Sequence, residues 1–305
     1  MMKIREESNV NKDVRKHHGS QRESRVIAVT SGKGGVGTTN VVTNLALSLT
    51  FLGKKVLVLD ANVGLANIDI LLGLSPQYNL NHVLKGEKKI SDVVVTGPGG
   101  MKIIPASLGV QELTNLSTEQ RIVLLSELAS LSEEVDFFLI DTGAGISSNV
   151  IYFNLAAQEN VVVTSPEPTS ITDAYALMKI LSVGYAKDHF KLLINSVKDP
   201  LEAREVYQNL SSITDKFLRL SLDYWGYIFY DRNVARAVRQ QRIAVEQYPH
   251  SRASQCYFSL AQKVCSNQPV FQSEGGINFF WNRLFRGYEA CSCPFADEKS
   301  ISFLS

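Results

Sequence analysis

From Arg25 onward the chain alternates short runs of branched and aromatic apolar residues with stretches whose apolar positions return every three or four residues. RVIAVTS, KVLVLD, MKIIPAS, DFFLIDT, NVVVTS, FKLLINS and WGYIFY are apolar on both alternating faces, which is the pattern of strands covered on both sides. The helical period predicts helices over 118–131, 148–157, 170–183, 201–215, 231–240 and 251–265. An earlier helix is predicted within VVTNLALSLTFLG, with Val42, Leu45, Ala46, Leu49 and Leu52 on one face and Gly53 ending it. Strand, helix, strand in that order is a β-α-β unit. Its recurrence predicts an α/β fold, a doubly wound and mostly parallel sheet with helices on both faces.

The pattern also divides the chain. Residues 1–24 mix both charges with few large apolar side chains and cannot offset their ordering entropy by burial, so they read as a mobile arm. Residues 25–265 carry the alternating strands and helices and read as one folded unit. Residues 266–275 have the composition of a linker, residues 276–288 a second helical period, and residues 289–305 a tail.

Composition narrows the class. With 45% hydrophobic residues over 305 positions the chain can fill a core without disulfides or metal. The 31 basic and 30 acidic residues leave a formal charge of +1, so no overall field attracts nucleic acid, and none is expected as a partner. The four cysteines, Cys256, Cys265, Cys291 and Cys293, form no CxxC pair, which fits a reducing, cytoplasmic setting. No apolar run reaches the roughly 18 residues of a spanning helix, and the start lacks the apolar stretch of a signal peptide.

The candidate chemistry sits where the first strand meets the first helix. There Ser31 is followed by Gly32, Lys33, Gly34, Gly35, Val36, Gly37, Thr38 and Thr39. Glycines at that junction let backbone N–H groups turn inward around phosphate oxygens, and the helix N-terminus adds its positive end. The alternative is a bland glycine turn. Two later strands end in aspartate: Asp60 in LDANVGLANID and Asp141 in FFLIDTGAG. Either aspartate alone reads equally as a strand-end turn residue. With the glycine loop upstream, the combination is far more specific than any one part.

SGKGGVGTTN resembles the deviant Walker A loop of the MinD/ParA ATPases, usually xGKGGxGKT. The resemblance covers roughly residues 25–265 and implies ATP and Mg²⁺ as ligands. It makes Lys33 the signature lysine that reaches the partner's phosphates in an ATP-sandwiched homodimer, and Thr39 the hydroxyl ligand of magnesium. LDANVGLANID is similar to the switch I segment DxDxGxxN, with Asp60, Gly64 and Asn67 matching, and this implies that Asp60 joins Thr39 and Asp141 in the magnesium set. DTGAG is similar to Walker B with switch II, which places Asp141 at the magnesium ion and lets Gly143 and Gly145 flex. Asn195, ending FKLLINS, matches the asparagine that meets the adenine edge.

Two positions depart from the pattern. Thr38 stands where the family has its ordinary Walker lysine, and Asn62 replaces the aspartate that helps place the attacking water. A threonine brings no cation to the phosphates, and an amide cannot accept a proton as a carboxylate would. Weakened hydrolysis and a non-hydrolysing scaffold of the same fold are both open readings.

GLANIDILLGL, SPEPTSITDAYALMKI and the pattern Gly226, Asp231, Val234, Ala237, Val238, Gln241 resemble the FlhG branch, MinD-like regulators of flagellar number and placement. That resemblance implies an FlhF-type GTPase or flagellar switch and regulator proteins as partners. Residues 1–24 do not match the branch's DQAxxLR helix. In residues 277–288, Ile277, Phe280, Trp281, Leu284, Phe285 and Tyr288 share a helical face, with Arg283 and Arg286 off it. This resembles the membrane-targeting helix that ends MinD and FlhG chains and implies reversible attachment to the inner face of the cell membrane. The other reading is a helix docked on the protein's own surface. The CSC tail holding Cys291 and Cys293 is a weak iron–sulfur signal.

Overall fold

The computed structural model describes residues 24–62, 67–105, 110–132, 135–267 and 276–286. The predicted arm before Ser24, Gly64, residues 268–275 of the linker, Tyr288 and the tail with Cys291 and Cys293 lie outside them.

Among the described residues eight strands form a single sheet: β1 (Arg25–Ser31), β2 (Val56–Ala61), β3 (Val95–Thr96), β4 (Lys102–Ile104), β5 (Phe137–Ala144), β6 (Glu159–Thr164), β7 (His189–Val197) and β8 (Ser221–Phe229). Their order across the sheet is β3-β4-β2-β5-β1-β6-β7-β8. All neighbours run parallel except the two-residue β3 against β4. The predicted doubly wound, mostly parallel sheet is therefore present. Every residue of β1 and β2 is buried, as two-sided strands require.

The helices are α1 (Thr38–Phe51), α2 (Ile68–Leu72), α3 (Leu80–Leu84), α4 (Ile90–Val93), α5 (Val110–Thr114), α6 (Thr118–Ser132), α7 (Ser148–Ala156), α8 (Pro168–Tyr185), α9 (Pro200–Phe217), α10 (Arg232–Arg239), α11 (Ala244–Gln247), α12 (Arg252–Ser266) and α13 (Ile277–Arg286). The six predicted helices from 118 onward reappear with ends shifted by at most two residues. Gly53 ends α1 as expected: its φ is 75°, and the next N–H, Lys54, returns to the Leu49 carbonyl. One expectation changes. α1 is buried on nearly every side, Val41, Leu47 and Ser48 included, because α11 and α12 cover the side that the sheet leaves open.

The C-terminal helix departs from a detached element. α13 packs on α5, α6 and α7, and Ile277, Phe280, Trp281, Leu284 and Phe285 are all buried. Phe280 meets Phe138 of β5 edge-on at 5.3 Å, and Trp281 stacks on Phe285 at 5.8 Å. The apolar face of β5 needs a cover that the short α5 does not supply, and α13 provides it. Each such side chain gains about 1.5–3 kcal/mol by leaving water. This is the docked arrangement of the two weighed from sequence. Arg283 lies on the exposed side.

Candidate functional site

β1 lies at the centre of the sheet, and the chain leaves its carboxyl end as the loop Gly32–Gly37 before entering α1. Ligands of open α/β sheets bind at that edge. The loop is clamped from two sides. A Cβ on Gly32 would fall 2.1 Å from the Asp173 carbonyl oxygen of α8, so only glycine fits there. On the other side Asn195 donates its amide to the Val36 carbonyl at 2.7 Å, and a Cβ on Gly37 would meet that same amide at 2.6 Å. Gly35 and Gly37 have φ of 83° and 92°, left-handed values that favour glycine. α1 begins after Gly37 with no side-chain cap, so its first N–H groups are free to take an anion. Gly34 is exposed, and nothing stands within 4 Å of where a side chain would begin.

The two aspartates lie in register on adjacent strands, Asp60 of β2 beside Asp141 of β5. Asp60 accepts backbone N–H bonds from Asn62, Asn67 and Ile68, which ties the end of β2 to the start of α2. Burial nonetheless raises its carboxyl above the usual range. Among the described residues both Asp141 oxygens are buried without a hydrogen-bond partner, although the Thr39 hydroxyl lies beside them. Burial, with Asp60 next to it, pushes the Asp141 carboxyl up to about 8. Two buried carboxylates, one of them orphaned and next to a threonine hydroxyl at an uncapped helix start, suit a hard divalent cation with a phosphate. Thr39, Asp60 and Asp141, the predicted metal set, are therefore brought together.

The remaining predicted residues fall as follows. Lys33 projects to the loop's outer side, where its ammonium donates to Glu167 at 2.9 Å and to Thr169 at 2.7 Å. Thr38 donates its hydroxyl to Ser31 Oγ at 3.1 Å, and Ser31 in turn donates to the Lys33 carbonyl at 3.0 Å. The side chain at the position of the Walker lysine is thus occupied with the Ser31 hydroxyl, which in turn holds the loop backbone. Asn62 Oδ1 stands 3.0 Å from where a Cβ on Gly143 would be, so the amide abuts the switch II turn. Gly145 donates its N–H to the Ser31 carbonyl at 2.9 Å, which joins that turn to the phosphate loop. Asn195 is 8% exposed, with its amide on Val36 and its oxygen accepting from Ser196, so here it braces the loop. Sequence reasoning did not select Glu167 and Thr169. Their position just after β6, at the carboxyl edge of the sheet, was the available signal.

A strand, a glycine loop clamped from both sides, an uncapped helix start and a buried carboxylate pair define a P-loop nucleotide-binding protein. A family model described as an AAA domain matches residues 24–192. The antiactivator FleN of Pseudomonas aeruginosa is 45% identical over 269 residues, 88% of this chain and 96% of that protein. The flagellum site-determining protein YlxH of Helicobacter pylori is 35% identical over 86% of this chain and 90% of that protein. Among solved structures, the MinC:MinD complex of Aquifex aeolicus aligns with a TM-score of 0.64 at 26% identity, covering 82% of this chain and 99% of that one. MinD of Pyrococcus horikoshii, complexed with Mg-ADP, aligns with a TM-score of 0.62 at 26% identity over 80% and 96%. The chain belongs to the MinD/ParA family of P-loop ATPases, close to its FlhG members.

Proposed function

We propose that this chain is an ATP-binding switch of the FlhG kind that acts in the control of flagellar number or placement, with slowed hydrolysis. The observation that carries the reading is the orphaned carboxylate of Asp141 beside Thr39 at the uncapped start of α1. Thr39 and Asp141 would hold Mg²⁺, with Asp60 behind them, and the N–H groups of Gly34 to Thr39 would cradle the phosphates. When bound, Mg²⁺ would neutralise phosphate charge. Lys33, on an exposed loop and paired with surface groups, would leave Glu167 and Thr169 to reach a second copy's phosphates in an ATP-bound homodimer. The relatives named for flagellar placement and antiactivation supply the biological direction, and an FlhF-type GTPase or a flagellar regulator is the partner class it implies.

Membrane attachment is part of the reading. No described helix is long and apolar enough to cross a membrane. α13 is docked, yet two features work against its docking: among the described residues the Trp281 indole N–H is buried without a partner, and Arg283 lies near the half-buried Lys187 ammonium. An unpartnered buried donor costs about 1–3 kcal/mol. We take α13 to leave its groove for an anionic surface at the inner face of the cell membrane, with two copies in a dimer reinforcing each other.

A non-hydrolysing scaffold is the second reading, favoured by Thr38 being bonded to Ser31 and Asn62 lying against Gly143. One titration with ATP and Mg²⁺ separates the two, following nucleotide binding and phosphate release in the same sample. Binding with slow release supports the switch, binding without release supports the scaffold, and absence of binding rejects both.

A further inference from the structure

α10 turns Val234, Ala237 and Val238 toward the core and presents Arg232, Arg236 and Arg239 to solvent, with Arg242 exposed in the turn that follows. Among the described residues none of these four arginines takes part in an ion pair, and Arg236 contacts the side-chain oxygen of its neighbour Asn233 at 3.4 Å. Of the two acids between residues 230 and 252, Asp231 is engaged as the cap of α10, accepting from the Asn233 and Ala253 N–H groups, and Glu246 is exposed in α11 without an ion pair among the described residues. Between residues 230 and 252 the sequence has five arginines, two acids and no lysine, although the whole chain holds more lysine than arginine.

This surface is held in place. Gln241, with a left-handed φ of 54°, ends α10 and donates its amide to the Ile70 carbonyl of α2 at 3.0 Å. Gly73 leaves room for it, since a Cβ there would stand 3.3 Å from the Gln241 side-chain oxygen. Exposed apolar residues flank both ends of the arginine row: Tyr230 before α10 and Ile70 beside Gln241, each 65% exposed.

The residue types point to the class of partner. Phosphate backbones and anionic lipid surfaces attract lysine and arginine alike as cations, and phosphate also takes the guanidinium in bidentate fashion, so it is the lysine-free, apolar-flanked setting of these arginines that discriminates. Protein interfaces enrich arginine and tyrosine and deplete lysine, because the planar guanidinium pairs with carboxylates in bidentate fashion and loses less on ordering. An arginine row without lysine, flanked by an exposed tyrosine and isoleucine, has the second composition. We propose that the arginine face of α10, with Tyr230 and Ile70, is a docking surface for an acidic helical segment of a protein partner. Carboxylates one turn apart on that segment pair with Arg232, Arg236 and Arg239, and its apolar flank covers Ile70 and Tyr230. The surface shares no residue with the phosphate loop, so it stands whether or not the switch reading holds.

The test uses the full chain and three probes: a fluorescent helical peptide with Glu at i, i+4 and i+7 and leucines on its flank, mixed-sequence duplex DNA, and phosphatidylglycerol vesicles. Circular dichroism and ATP binding serve as controls for folding. The expected result is that the Glu peptide binds, that its Gln counterpart binds at least about tenfold more weakly, and that Arg236→Gln with Arg239→Gln costs at least about tenfold. Arg236→Lys with Arg239→Lys, which keeps the charge, is expected to lose about threefold or more. Peptide binding that ignores these variants, Lys variants that bind like the parent, or DNA or vesicle binding that is tighter than peptide binding and is lost in the Gln variants would each overturn the proposal.

Discussion

Asp60 and Asp141 stand side by side on β2 and β5, and only Asp60 has its oxygens satisfied by backbone N–H groups. The unequal pair divides the work: Asp60 fixes the start of α2, while Asp141 presents bare oxygens to whatever occupies the loop. Without a cation Asp141 is protonated near neutral pH, since its carboxyl is pushed up to about 8. Asp141→Asn therefore exchanges one neutral group for another, and thermal unfolding without ligand is expected to change by less than about 1 kcal/mol. Magnesium-dependent ATP affinity is expected to fall at least about tenfold. A binding titration with and without Mg²⁺, beside a melting curve, checks both halves.

Glu167 and Lys33 form a pair whose side chains are 67% and 35% exposed, and such surface pairs contribute about 0–1 kcal/mol. Glu167→Gln should therefore ease the release of Lys33 without unfolding anything. With ATP and Mg²⁺ the dimer fraction is expected to rise a few-fold at fixed protein concentration, and Lys33→Ala to abolish the dimer. Light scattering after size exclusion reads this directly. A parent-like dimer fraction in Glu167→Gln would mean that the pair does not restrain Lys33.

Much of this was legible in the chain. Two-sided apolar runs defined the strands because a parallel sheet buries both faces, and the glycine loop was readable because only its residue types permit φ near 90° and a backbone contact such as that of Gly32 with α8. Three things were not. α2 to α5 are short pieces whose four or five residues carry too little period to detect, and their existence depends on contacts such as Asp60 with the start of α2. The role of Asn195 as a brace follows from a loop 159 residues away, which no local pattern records. The seat of α13 was ambiguous because an apolar stripe suits a membrane and a sheet face equally, and only the uncovered Phe138 of β5 decides for docking here.

Thr38 and Asn62 should limit the rate rather than the fold. Thr38→Lys breaks the bond to Ser31, a loss of about 1 kcal/mol, and returns a cation to the phosphates. Asn62→Asp returns a proton acceptor next to Gly143. The double variant is expected to release phosphate at least about tenfold faster than the parent, with the dissociation constant for ATP changed less than the rate. A rate no higher than the parent's would show that the site has lost more than these two groups.

Lys187 gives α13 a pH dependence. Its ammonium donates to the Ala157 carbonyl, and burial, with Arg283 of α13 nearby and only partly offset by Asp188, lowers its pKa to about 8. When α13 leaves, Arg283 leaves with it and Lys187 regains water, so its pKa returns toward 10.5. Between about pH 8 and 10.5 the docked state then binds fewer protons than the undocked one, and docking strengthens as pH rises through that window. Below about pH 8 both states carry the charge, and the full penalty on docking remains. Trp281, buried when docked, reports the equilibrium through iodide quenching in a Trp225→Phe background that leaves it as the single tryptophan. Quenching is expected to fall from pH 8 to pH 10. Arg283→Gln should reduce that fall without removing it, since burial is the larger cause, and Lys187→Met should remove it. A pH-independent signal in the parent would mean that α13 does not move over this range.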